Sequence, residues 1–165
     1  LEADPGEEPA IRSLLREAGL WAALAAGDDE LIDQWLDQAI EDGAIGRRVH
    51  EVIRPLLGER AAALGEVREL AGDPDYKDEL HQVVLAQWAA YLGDAEFALE
   101  VLRGLPEEAN ENALAWALWR PVVSDVRGQP EFRVLVRELG LVDYWQEYGW
   151  PDFCRPAGAN NFTCG

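Results

Sequence analysis

Few residues in this chain are able to do chemistry, and their spacing decides what each could do. Serine occurs at Ser13 and Ser124, histidine at His50 and His81, and cysteine at Cys154 and Cys164. Neither serine sits in a Gly-x-Ser-x-Gly turn, and neither cysteine neighbours a histidine, so the sequence offers no nucleophile with an adjacent base. Metalloprotease, phosphate-loop and dinucleotide patterns are absent. Two cysteines cannot build a Cys₄ or Cys₂His₂ zinc set. Asp73, Asp75 and Asp78 lack the glycine and spacing of a calcium loop. Asp28-Asp29-Glu30 reads as the start of a helix, where carboxylates oppose the positive end of the dipole. His50 and His81 precede turn glycines by 8 and 12 positions. A metal shared between them would need further ligands, so ordinary packed or half-exposed histidines are the expectation. No catalytic residue, metal or cofactor is expected, and the chain is read as a protein that is not an enzyme.

Cys154 and Cys164 lie ten positions apart in a tail rich in Gly, Pro and Asn. Two readings stand: two reduced thiols, or a disulfide closing the loop. The disulfide is favoured and would stabilise the tail by roughly 2–3 kcal/mol. It would also place the chain in an oxidising, extracytoplasmic compartment, periplasmic or secreted. A cytoplasmic location is the alternative. Asn161-Phe162-Thr163 matches the N-glycosylation pattern, which is common by chance.

Charge bounds the partners. The 165 residues carry 32 acidic and 14 basic side chains, a formal net charge of −18, which disfavours nucleic acid and anionic lipid. Hydrophobic residues make up 48%, enough for a folded core rather than a solvated acidic tail. No apolar run reaches the ~18 residues of a membrane span, so direct membrane insertion is not expected. Leu1-Glu2-Ala3-Asp4-Pro5 is not a signal peptide, and residues 1–10 read as a leader or linker.

The elements that would position any site are helices. Apolar residues recur at helical spacing at Leu14, Leu15, Ala18, Trp21 and Ala22, and again at Leu31, Ile32, Trp35, Leu36 and Ala39. Val83, Val84, Gln87, Trp88 and Tyr91 form a third stripe, and Leu114, Ala117, Leu118, Val122 and Val123 a fourth. Gly27, Gly58, Gly93 and Gly128 separate helical stretches at intervals of 31, 35 and 35 residues. A helix–turn–helix period of about 34 residues is the mark of a tetratricopeptide-type solenoid, and Leu85 to Leu102 fits it best. Four unrelated hairpins in a bundle are the alternative. The spacing predicts first helices over 11–26, 45–57, 78–92 and 110–126, and second helices over 29–42, 59–71, 94–104 and 130–139. Pro55 and Pro121 should kink or bound the helices that hold them. A short helix from Leu141 to Tyr148 and an irregular stretch from Gly149 to Gly165 follow. The fold class is therefore all-α: a solenoid of about four helix pairs over 11–140, then a capping helix and closed tail over 141–165.

The run Arg127-Gly128-Gln129-Pro130-Glu131-Phe132 continues through Leu135, Leu139-Gly140-Leu141, Tyr144-Trp145 and Gly149-Trp150-Pro151-Asp152-Phe153-Cys154. From Trp119 to Cys164 this resembles the C-terminal end of a group of bacterial tetratricopeptide-repeat proteins. Some of those carry an N-terminal winged-helix or nucleotide-cyclase domain and a membrane span. The resemblance implies a repeat region of a larger signalling or regulatory protein held outside the cytoplasm, and it brings no catalytic residues. Tyr144, Trp145, Tyr148, Trp150 and Phe153 would fold as a cap over the last helix pair, since a solenoid end leaves an apolar face uncovered. An exposed aromatic platform for a ligand is the other reading.

In this repeat class the first helices line the inner groove. Trp21, Leu24, Val52, Leu80, Val83, Gln87, Leu118 and Val122 would then face it, or else simply pack against one another. The function expected is a scaffold that binds a protein or peptide, preferably a basic one. The alternative is a small-ligand sensor using the groove or a pocket in the cap. Self-association is left open.

Overall fold

The computed structural model describes residues 7–41, 43, 46–105, 117–158 and 161–164. Leu114 and the first part of the expected helix 110–126, residues 110–116, lie outside them, as do residues 1–6 of the expected leader.

Helices dominate, in near register with the sequence reading. They are α1 (Glu7–Ala26), α2 (Asp29–Glu41), α3 (Arg47–Ile53), α4 (Arg60–Gly72), α5 (Glu79–Tyr91) and α6 (Ala95–Arg103). After residue 117 come α7 (Ser124–Arg127), α8 (Phe132–Glu138) and α9 (Leu141–Tyr148). The turns behave as their residues require. Gly27 and Gly93 take φ of 66° and 94°, the left-handed region a side chain resists. Asp28, Asp78 and Asp94 then accept from the backbone N–H three residues on, at 3.1, 3.2 and 3.0 Å, and start α2, α5 and α6.

Prolines set two boundaries. Pro55 lies in the 3₁₀ turn Arg54–Leu56, which ends α3 at Ile53 and shortens the expected 45–57 helix. Pro121 opens the 3₁₀ turn Pro121–Val123, and Arg120 before it is extended, with φ −69° and ψ 146°. The expected helix 110–126 is therefore broken at 119–123, because proline excludes helical geometry from the residue ahead of it.

The core runs through α5. Every residue from Gln82 to Ala90 is buried, so α5 is the central rod rather than an amphipathic surface helix. Packing joins α1 to α2, α2 to α3, α3 to α4, α4 to α5 and α5 to α6. It also joins α1 and α5 to the Pro121–Val123 turn. A stack whose units touch only their neighbours makes no contact between its first helix and residues 100 positions later. Here that contact brings α1 and the 117–123 segment together.

The face of α1 is turned from the one its apolar residues suggest. Glu17, Leu20, Trp21, Ala23 and Leu24 are buried, while Leu15, Ala18 and Ala22 are exposed. Gly19 allows the close approach of α2: a Cβ there would meet the Trp35 ring at 2.6–2.7 Å.

The tail is not wholly irregular. Strands β1 (Cys154–Pro156) and β2 (Phe162–Cys164) pair antiparallel, with Cys154 opposite Cys164. Those two cysteines form a disulfide, with Cα atoms 4.1 Å apart. Strands of three residues are too short to show a two-residue alternation, which is why the sequence pattern passes over them.

Candidate functional site

A polar cluster sits at the centre of the core. Glu17 from α1, His50 from α3 and Gln87 from α5 are each 0% exposed, and Arg120 is 8% exposed. One Glu17 carboxylate oxygen accepts from Trp21 Nε1 at 2.9 Å, and the other lies 2.8 Å from His50 Nε2. Trp88 Nε1 donates to His50 Nδ1 at 3.1 Å. An indole N–H can only donate, so His50 Nδ1 is an acceptor and carries no proton. The ring proton is therefore on Nε2 and is donated to Glu17. Both Glu17 oxygens accept, which leaves the side chain a carboxylate.

Arg120 supplies the opposite charge. Its Nη1 donates to the Glu17 carbonyl oxygen at 3.2 Å, across 103 residues of chain. Burial pushes the Arg120 guanidinium down to about 10, while the Glu17 carboxylate pulls the other way. It remains a cation near neutrality. Arg127 in turn holds the segment: its Nη1 donates to the carbonyls of Leu118 and Arg120 at 3.1 and 3.0 Å. Burial lowers the Arg127 guanidinium as well. The rings of Trp21 and Trp88 close the cluster edge to face, 5.3 Å between centroids.

This cluster contains an acid, a base and a cation, yet every member is enclosed. A general base must lie within hydrogen-bond reach of the proton it removes, and no substrate reaches a group with no exposed surface. Its evident work is structural, tying α1, α3, α5 and the 117–123 segment together. Glu17 escapes a search for apolar stripes because it is the charged member of one. The signal was available: it lies three, four and seven residues ahead of Leu20, Trp21 and Leu24. Gln87 leaves both amide atoms without a partner among the described residues.

The eight residues read from the sequence as a groove fall in different places. Trp21, Leu24, Val83, Gln87, Leu118 and Val122 are buried in the core, Val52 is half-buried, and Leu80 is 46% exposed. The first six pack inside the molecule and present no open face. The two histidines serve apart. His81 pairs with Asp78 one turn earlier on its own helix and lies edge-on to Tyr76. Among the described residues, no group of three or more His, Cys, Asp or Glu could hold a metal.

Among the described residues, concave regions open to the surface beside α6 and beside α9. One, of about 450 Å³, lies between α6 and the start of α8 and is lined by Glu96, Leu99, Glu100, Arg103, Gly104 and Glu131. Its single cation, Arg103, reaches toward Glu138 at 3.4 Å. The other, of about 210 Å³, lies between α9 and the disulfide-closed hairpin.

Trp119, Phe132, Trp145, Trp150, Phe153 and Phe162 form one connected set of rings. Trp119 meets Phe132, Trp145 and Phe153, with centroids 6.4, 5.8 and 6.5 Å apart. Trp145 meets Trp150 and Phe162. The Arg127 guanidinium lies 4.7 Å from the Phe153 ring centre. Trp145 and Phe162 are buried, while Tyr144 and Tyr148 are exposed and lie 4.8 Å apart.

No helix among the described residues is long and apolar enough to cross a membrane. In comparisons with known proteins, no family profile, no curated protein and no solved structure matches this chain.

Proposed function

We propose that this chain is a non-enzymatic interaction module that binds a basic protein or peptide, built of tetratricopeptide-like helical hairpins that close back on α1 instead of stacking as an open solenoid. The observation that carries the reading is the acidic cleft beside α6. Glu96 and Glu100 stand one turn apart on α6, and Glu131 faces them from the approach to α8. On a molecule of net charge −18, such a cleft draws in cationic segments and repels anionic ones. The enclosure of the Glu17–His50 pair supports a role without chemistry. The tail aromatics serve as the cap of the last hairpins, and the chain forms the repeat region of a larger signalling protein. The Cys154–Cys164 disulfide supports an extracytoplasmic location.

The test is fluorescence anisotropy with matched lysine-rich and glutamate-rich peptides. Lysine-rich peptides should bind with an affinity that falls as salt rises. The triple variant Glu96→Gln, Glu100→Gln, Glu131→Gln should weaken binding about tenfold, at about 0.5 kcal/mol for each exposed pair. Equal binding of both peptides, or no effect of the triple variant, would overturn the proposal.

A further inference from the structure

The smaller cavity differs in kind from the acidic cleft. Val142, Gln146, Trp150, Pro156, Gly158, Asn161 and Phe162 line its 210 Å³. None of these is charged, in a chain where 28% of residues are. The hairpin side is held by the Cys154–Cys164 bond and by the Ala157 N–H donating to the Asn161 carbonyl at 2.8 Å. The helical side is held by Trp150, whose ring meets Trp145 and Phe162 at 5.5 Å. Trp150 is half-buried and lines the cavity.

The polar groups are carboxamides from opposite walls. Asn161 Oδ1 accepts from the Phe162 N–H at 3.0 Å, and its Nδ2 makes no hydrogen bond among the described residues. Gln146 is exposed and makes no hydrogen bond among the described residues, so it offers a donor and an acceptor. An indole face flanked by uncommitted amides suits a neutral ring with an apolar face and a rim of hydroxyls. The volume falls below the ~300 Å³ at which sites for drug-sized ligands begin, so it takes one ring. The net charge of −18 disfavours nucleotides and acidic sugars.

We propose that this cavity binds one neutral pyranose ring, stacked against Trp150 and hydrogen-bonded by Gln146 and Asn161. The site is independent of the acidic cleft, and neither reading requires the other. The ring could be a free monosaccharide or the end of a glycan.

The experiment is a ¹H–¹⁵N titration that follows the Trp150 indole signal, identified by its loss in Trp150→Phe. The probes are glucose, galactose, their methyl glycosides, a neutral linear trisaccharide and glucuronate. A saturable shift with neutral sugars, weakened about fivefold in Gln146→Ala, is the expected result, since one neutral hydrogen bond is lost. Gln146 is exposed, so that variant should leave the helical signal unchanged. Response to monosaccharides identifies a free sugar as the occupant; response to the trisaccharide alone identifies a glycan end. No saturable shift with any neutral sugar, equal binding of glucuronate, or an unchanged affinity in Gln146→Ala would each overturn the proposal.

Discussion

Replacing Glu17 by Gln changes one oxygen to an NH₂ group and almost nothing in shape, yet it should be among the most damaging single substitutions in this chain. The reason is a parity of donors and acceptors. Trp21 Nε1 and Trp88 Nε1 end a hydrogen-bonded row, and both can only donate. Between them stand Glu17, which accepts twice, and His50, which accepts once and donates once. With glutamine at 17 the row holds one acceptor too few. Flipping the amide or moving the His50 proton only shifts the conflict to another contact. One buried donor is left unmatched, at a cost of about 1–3 kcal/mol. Arg120 also loses the nearby opposite charge that offsets its burial, although its bond to the Glu17 backbone carbonyl stays. The expected loss is at least about 1–3 kcal/mol, from a domain stability of about 5–15 kcal/mol. Urea unfolding followed by tryptophan fluorescence and by helical circular dichroism should show a lower midpoint at unchanged slope. Glu51→Gln breaks the exposed Arg47–Glu51 pair and serves as the control, with an expected loss below about 0.5 kcal/mol. A loss under about 1 kcal/mol for Glu17→Gln would refute the assigned tautomer.

Gly19→Ala places a methyl group against the Trp35 ring and should cost about 1–3 kcal/mol, seen as a lower thermal midpoint. Burial would raise the Asp78 carboxyl, but hydrogen bonds from His81 outweigh it and hold the group below its ordinary value. A lowered folded value means stability that is present above the ordinary carboxylate range and lost as pH falls through the lowered one. Asp78→Asn should therefore flatten the decline in stability below about pH 5, and an unchanged slope would count against that origin. Cys154→Ser should cost the tail about 2–3 kcal/mol and raise hydrogen exchange in the hairpin while sparing α1 to α6. Intact mass after thiol blocking, with and without reductant, should show no modification of the native wild-type chain until reduction.

Local signals read well from this sequence because the physics behind them is local. Gly27 and Gly93 mark turns since only glycine takes positive φ freely, and Asp28 and Asp94 mark helix starts since their side chains reach the first free N–H groups. The helix at Leu141–Tyr148 follows from Gly140 and its aromatic spacing. What was not legible is pairing over distance. Glu17 meets His50 across 33 residues and Arg120 across 103, and no window on the sequence contains both ends. The groove residues show the same limit from the other side. Periodicity identified Trp21, Val83 and Leu118 as inward-facing, but could not distinguish an inner surface from an interior.

The bond between Arg120 and Glu17 also has a consequence in time. A ribosome adding about 5–20 residues per second completes α1 about 5–20 s before Arg120 is made, since 103 residues separate them. Through that interval the Glu17 carboxylate lacks the Arg120 charge that lies near it in the fold, and burying it early would be costly. The first hairpins should therefore stay loosely packed, with α1 held open, until the segment after residue 117 arrives. Closing a loop of that length adds little entropy beyond a shorter one, but the contact cannot form before its last residue exists. Nascent chains arrested before and after Arg120 should then differ sharply in protease resistance at α1, far from the point of arrest.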